Sequence, residues 1–306
     1  MTPRDGLLLV HAHPDDECFS TGGLIARSLA EGRRVDLVVC TGGEEGEIHD
    51  PALDPEEAKP RLAEIRAAEL DCSVAALRGD HPGELHLHRL GYRDSGMMGS
   101  EGNENPAAFW QADLDEAAAR LVPIIRECCA SVLVTYDANG NYGHPDHINA
   151  HRLAVEAWMA AADHARFPEA GAPHAIPKFY ETAFSREAWG EVLTEMQERG
   201  IPLPWDSGEE EEAAAESGSD ESAEEESFGV PDATITTRLD VTPFVAAKRA
   251  AMACHRTQSQ DFSWQLNLPD DLATKMSATE RFILTRWPTH GIPDDLREET
   301  LFDGLP

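Results

Sequence analysis

Apolar and polar positions alternate in blocks along this chain. Residues 7–10, Leu-Leu-Leu-Val, form a short continuous apolar run, the pattern of a strand buried on both faces. Residues 21–30 carry apolar side chains at helical spacing and stop at Gly32. A second strand is predicted over 34–41, running into the glycine- and glutamate-rich loop 42–47. Residues 55–77 predict a charged amphipathic helix containing Arg61, Glu64, Arg66 and Glu69. Residues 84–90 alternate as a third strand, and a glycine-rich loop over 91–105 carries Arg93, Asp94, Met97 and Met98. A helix over 109–129, a strand over 131–137, a turn at 139–141 and a helix from Pro145 or Asp146 to about 164 follow. A strand over 178–183 and a helix over 185–199 come next. Residues 207–227 are low-complexity Glu, Ala and Ser, unable to bury a core, and read as a disordered acidic surface loop. A strand over 233–240 and a helix from Phe244 to His255 resume the pattern, and the tail 264–306 reads as mostly helix and turn.

Strands alternating with helices predict an α/β fold: a doubly wound, mostly parallel sheet with helices on both faces and right-handed crossovers. Ligands of such sheets sit beyond the carboxyl ends of the strands, where strand order reverses. With order 3-2-1-4-5, the first and fourth strands end side by side at that point. The expected organisation is a catalytic core over 1–183 and a smaller α+β portion over 184–306 that completes the pocket.

Composition narrows the partners. The 306 residues carry a formal charge of -32, and ten acids with no basic residue lie between Glu209 and Glu226. Such a surface repels nucleic acid and anionic membranes. No segment is long and apolar enough to span a bilayer, and the first residues lead straight into a strand, so a cytoplasmic protein is expected, compatible with an oligomer. The six cysteines, at 18, 40, 72, 128, 129 and 254, show no Cys-x-x-Cys pair. They read as small buried hydrophobes in a reducing compartment, with no disulfide scaffold.

The chemistry lies at two strand ends. The first strand runs into His11-Ala12-His13-Pro14-Asp15-Asp16-Glu17, and the fourth is followed by Tyr142-Gly143-His144-Pro145-Asp146-His147. Three adjacent acids repel one another unless a cation or solvent compensates. Two His and one carboxylate from these clusters, with His151 in reach, make a plausible zinc site, and spacing alone leaves open which. A remaining carboxylate suits a general base. A remaining histidine, made cationic by a neighbour such as Asp146, suits an oxyanion donor or an acid. His11, His86 and His88 read as structural, His151 as a supporting residue, and Glu17 as orienting the loop. The glycines at 42–46 lack the Gly-x-Gly-x-x-Gly spacing and sit among glutamates, which argues against a nucleotide.

Ala12-His13-Pro14-Asp15-Asp16-Glu17 together with His144-Pro145-Asp146-His147 resembles the PIG-L/LmbE family of zinc-dependent deacetylases. Further similarity at Thr41–Glu47, Arg93–Met97, Thr135–Asp137 and His255–Gln258 points to the branch holding the N-acetylglucosaminyl-inositol deacetylase of mycothiol synthesis and the mycothiol S-conjugate amidase. The resemblance implies a Rossmann-like core and His13, Asp16 and His147 as ligands of Zn2+, with Fe2+ as the alternative metal. It implies Asp15 as the base, His144 oriented by Asp146 as oxyanion donor or acid, and Tyr142 as a mobile second donor. Arg66, Asp94 and Glu47 match substrate-binding positions. The implied reaction is hydrolysis of the N-acyl group of a small amino-sugar conjugate, with the amidase as its near variant and a non-catalytic sugar- or metal-binding protein as the distant one. The acidic run, Cys18 and Asn141 depart from the family pattern.

Overall fold

Strand β1 (Leu7–His11) lies inside a seven-stranded sheet of order β3-β2-β1-β4-β5-β7-β6. The computed structural model describes residues 5–203, 229–289 and 291–305, so the acidic loop expected over 207–227 lies outside the described residues. β2 (Arg34–Thr41) and β4 (Val132–Thr135) pair with β1 in parallel; β3 (Glu84–Tyr92) pairs with β2, and β5 (Lys178–Ala183) with β4, in the same sense. The strand order expected from the pattern is the observed one, and β1 and β4 are neighbours.

The all-apolar β1 feeds two cores. Leu8 and Val10 point to one face, against α4 (Leu114–Cys128) and α5 (Pro145–Ala162) through Leu121, Ile125 and Leu153. Leu7 and Leu9 point to the other, with Leu24 of α2 (Gly22–Ala30) and Leu70 of α3 (Leu62–Arg78) in the same cluster. Both faces are therefore covered, as period-2 alternation on a continuous apolar strand requires. The helix expected over 55–77 is broken: a turn of helix over Pro55–Ala58 precedes a 3-10 turn holding Pro60, which lacks a backbone N–H to donate.

Three expectations fail. The tail is not only helix and turn. After α6 (Arg186–Glu198), β6 (Thr237–Asp240), α7 (Val245–Met252), α8 (Ser259–Leu266) and α9 (Asp270–Ser277) comes β7 (Thr279–Arg286), antiparallel to both β5 and β6. Its inward positions are Glu280, Phe282 and Leu284, and the charged first member hides the alternation. Glu280 accepts the N–H groups of Gly23 at 2.8 Å and Leu24 at 2.7 Å and pairs with Lys248 at 2.8 Å, so it supplies acceptors to the first turn of α2. Second, residues read as a loop after β1 form the short helix α1 (Asp16–Ser20). Third, Cys72 and Cys254 are joined in a disulfide with Cα atoms 5.7 Å apart, across 182 residues of sequence, where six unpaired thiols were expected. Sequence spacing carries no sign of a pairing that depends on α3 and α7 packing together. Among the described residues, no helix is long and apolar enough to cross a membrane.

Candidate metal centre and cleft

β1 and β4 deliver their following residues to one place. Pro14 and Asp15 turn the chain out of β1, and Asp16 opens α1; His144 caps α5, with His147 one turn in. The Nδ1 atom of His13 lies 3.2 Å from Nε2 of His147 and 3.5 Å from Oδ2 of Asp16, and His147 Nε2 lies 3.4 Å from Oδ1 of Asp16. Three donors on a tetrahedral ion with metal–donor bonds near 2.0–2.1 Å would stand about 3.3 Å apart. The triangle of side chains fits a small divalent metal on that ground. Gly140, with φ +66, packs against the first turn of α5, where a Cβ would meet the Cβ of His147 at 2.6 Å.

A second ring orients the first. Nε2 of His13 faces Asp146 Oδ2 at 3.2 Å and Asp94 Oδ1 at 3.5 Å, which places a proton there and leaves Nδ1 as the lone-pair donor. Asp16 Oδ2 accepts from the His13 backbone N–H and the Tyr136 hydroxyl, both at 2.7 Å. Tyr136 also stacks on His147, with ring centroids 4.1 Å apart, and accepts the Ala12 N–H. Asp146 is held by the N–H of Ser95 at 2.9 Å and by its hydroxyl. Burial pulls His13 downward, but Asp94, Asp146 and Asp16 outweigh it and hold its pKa well above the usual histidine range. Burial opposes charge on Asp94, yet His13 and the Gly96 N–H keep it well below the usual carboxylate range. The locus favours positive charge.

Asp15 stands at the N-cap of α1 with φ 119, and its side chain makes no capping bond. A non-glycine residue in that region costs on the order of 1–3 kcal/mol. Its Oδ2 accepts from Arg66 Nη2 at 2.9 Å. Burial pushes the Asp15 pKa up to about 7, with Asp16 adding to the rise and Arg66 opposing it. Arg66 is itself buried, donating to the carbonyls of Pro14 at 2.6 Å and Gly43 at 2.9 Å. A Cβ at Gly43 would come within 2.3 Å of the Arg66 guanidinium, and one at Gly46 within 2.6 Å. The glycines of this loop therefore make room for a cation on Asp15 rather than for a phosphate.

His144 differs from the cation expected of it. The Asp146 carboxylate faces His13 and Ser95, and Asp146 orients His144 through its backbone instead, donating its N–H to His144 Nδ1 at 3.1 Å. Burial lowers the His144 pKa to about 3, reinforced by His13 and His147; burial likewise takes His147 to about 4. A neutral imidazole that accepts at Nδ1 carries its proton on Nε2, so His144 offers an N–H donor. Tyr142 is 55% exposed, its hydroxyl 3.5 Å from His147 Nε2. Asp94 accepts from the N–H groups of Glu45 and Gly96, and Glu47 reaches His49 at 3.1 Å with most of its side chain in solvent.

Of these side chains, His13, Asp15, Asp16, Glu47, Arg66, Asp94, Tyr142 and His144 line one open cleft of about 1350 Å³, together with Phe19, Met97, Gln258 and Phe262. The last two come from the C-terminal portion. The sequence reading gave no role to Tyr136, Ser95, Ser73 or His255; Tyr136, Ser95 and His255 stood within stretches of family similarity, and nothing marked Ser73. The other histidines weighed in the sequence make contacts of their own: His11 contacts Thr21 and Tyr136, His151 faces the Tyr136 carbonyl, His88 contacts Asp36, and His86 faces Glu84.

Comparison with known proteins gives one family. The family model described as PIG-L, GlcNAc-PI de-N-acetylase, matches residues 8–158. A 1D-myo-inositol 2-acetamido-2-deoxy-alpha-D-glucopyranoside deacetylase of Catenulispora acidiphila is 44% identical over 98% of this chain and 89% of its own. The protein of that name from Streptomyces avermitilis is also 44% identical, over 99% of this chain and 98% of its own. Among solved structures, the N,N'-diacetylchitobiose deacetylase of Pyrococcus horikoshii superposes with a TM-score of 0.56 at 18% identity, over 92% of this chain and 84% of that one. A 4-carboxy-2-hydroxymuconate hydratase of Pseudomonas putida superposes with 0.58 at 19% identity, over 96% and 100%. A hydratase and a deacetylase on one fold show that the fold alone does not decide the reaction.

Proposed function

The chain belongs to the PIG-L family and is an amide-hydrolysing enzyme, and from that premise we propose that it removes the acetyl group from an N-acetylglucosaminyl-inositol. The observation that carries the substrate is full-length identity of 44% to two deacetylases named for that compound. Family members are metal-dependent, and the N2O donor set suits zinc, with ferrous iron a second candidate. His13, Asp16 and His147 would hold the ion, which supplies Lewis acidity and a lowered pKa for water when bound.

The protein's own groups do the rest. Asp15, with its pKa near 7, takes the proton of the attacking water close to neutral pH. The same carboxyl then holds a proton it can give to the departing amine. Neutral His144 points Nε2–H at the carbonyl oxygen as negative charge develops, at no cost of charging a buried imidazole. Tyr142, on an exposed turn, swings in as a second donor to that oxygen. Asp94 and Glu47 accept sugar hydroxyls, and Arg66, on the same wall, steadies Asp15 while bordering the sugar. Arg66 and Asp94 thus serve both the machinery and the substrate.

Amine release from N-acetylglucosaminyl-inositol, N-acetylglucosamine and an S-blocked mycothiol conjugate tests the reading with zinc-loaded protein. Preference for the inositol glycoside is the expected result. Preference for the S-conjugate would make the protein an amidase acting on thiol conjugates, and stoichiometric metal with no turnover on any of the three would overturn the substrate and point to a different N-acyl compound.

A further inference from the structure

Behind Asp15, away from the cleft, lies a buried ion pair that the proposed chemistry does not use. Glu17 and His255 are both 0% exposed. His255 Nε2 lies 2.8 Å from Glu17 Oε1, and the Ser73 hydroxyl donates to the same oxygen. The other oxygen, Oε2, accepts the backbone N–H of Asp15 at 2.9 Å. One carboxylate thus gathers three donors, and the third is the main chain of Asp15 itself.

That N–H belongs to the residue with φ 119. A backbone in this region persists only where its surroundings fix it. Arg66 grips the Asp15 carboxylate and the carbonyl before it, but not the Asp15 N–H. Glu17 is the group that does so, and its own orientation depends on Ser73 of α3 and His255 after α7. Those donors sit 182 residues apart in sequence, each one residue after a cysteine of the Cys72–Cys254 disulfide. The two donors ride on one covalent cross-link.

We propose that Ser73 and His255, tied together by the Cys72–Cys254 bond, act through Glu17 as positioning residues that hold Asp15 in its reacting conformation. The inference rests on Asp15 being the base, and it adds that the C-terminal portion reaches the chemistry from behind as well as by lining the cleft. Displacing a reacting group by even 1 Å can cost about 100-fold. A side chain that fixes the Asp15 backbone therefore acts on turnover while leaving substrate and metal contacts in place.

The test uses the full-length, zinc-loaded enzyme and N-acetylglucosaminyl-inositol. His255→Phe keeps the ring volume and removes the donor; His255→Gln keeps an N–H. His255→Phe is expected to lower kcat about 20-fold, a fraction of the loss from a full misplacement, with KM and zinc stoichiometry unchanged. His255→Gln is expected to recover most of that loss. In an Asp15→Asn background, His255→Phe is expected to cause no further loss of residual turnover, because both act on one step. Equal behaviour of the Phe and Gln variants, or a loss that multiplies with Asp15→Asn, would overturn the proposal. Near-normal turnover by Asp15→Asn alone would instead overturn the base assignment. Ser73→Ala, a smaller excision, serves if His255→Phe does not fold; an unchanged kcat there counts against the relay. Cys72→Ser/Cys254→Ser is expected to lower kcat several-fold at constant KM, and a fall in Tm with kcat intact would remove the cross-link from the relay.

Discussion

Two clusters of histidine and acid lie within a few residues of each other after β1, and only one looks built for a metal. His13, His144 and His147 bring ligand-type atoms within 4.8 Å of one another, and so do Glu17, Cys18 and His255. In the first cluster Asp146 and Asp94 take the far side of His13, and the near sides of His13 and His147 face Asp16. In the second, the carboxylate and the thiol have spent their hydrogen-bonding capacity locally, and His255 has one ring nitrogen engaged. Glu17 holds three donors, and the Cys18 thiol donates to the Asp15 carbonyl. Burial and the charges of Glu17 and Asp15 push that thiol well above its usual pKa, so it resists becoming a thiolate. Residue type does not separate a metal site from a structural ion pair; the placement of protons does.

The sharpest way to break that contrast is to count metal. His13→Ala and Asp16→Ala are expected to abolish stoichiometric zinc and all measurable turnover, whereas Glu17→Gln retains one zinc per chain by elemental analysis. Loss of zinc from Glu17→Gln would mean that the second cluster also binds metal. Next in size is Asp15→Asn, expected to lower kcat about 1000-fold with zinc retained. Its pH profile carries the sign. A base must be ionised, so wild-type turnover falls as pH drops through the Asp15 pKa, at about 7 or below it once a cation sits nearby. The residual rate of Asp15→Asn is expected to lack that limb. His144→Gln is expected to lose about 100-fold in kcat and to add no new limb between pH 5 and 9, since His144 is neutral throughout.

The smallest effect concerns the second cluster. Burial works against charge on both partners, yet His255 holds Glu17 below the usual range and Glu17 raises His255. The Glu17 contribution is present above its unfolded pKa and is lost as pH falls through its lowered folded value. The His255 contribution is present below its unfolded pKa and is lost as pH rises through its raised folded value. The pair therefore stabilises most between about pH 4.5 and 6.5. The Tm difference between wild type and His255→Phe is expected to be widest there, by a few degrees, and to narrow above neutrality. A flat difference across pH would mean the pair is not ionic.

The same contrast explains what could be read from the chain. Parallel strands and their order were legible because β1 and β4 are apolar on both faces and β2 carries its own apolar run over 37–40. That two His/Asp clusters meet was legible from strand order. Which of their atoms face one another was not, because Pro14 and the left-handed Asp15 break the periodicity on which such an argument depends. The resemblance named a ligand set, and the donor triangle is compatible with it. Tyr136, Ser95, Ser73 and His255 escaped because each works on a residue at least 50 positions away. β7 escaped because Glu280 occupies a core position, satisfied by a helix end far away in sequence.

Gly43 and Gly46 bound what variation at this site can do. Any side chain at either position displaces Arg66, and with it Asp15, so these two positions are closed to drift. New substrate preferences must be drawn from positions that line the cleft without carrying the guanidinium: Glu47, His49, Met97 and Phe262. A library randomised at those four positions would explore specificity, whereas one spread across 42–46 would mostly sample inactive proteins.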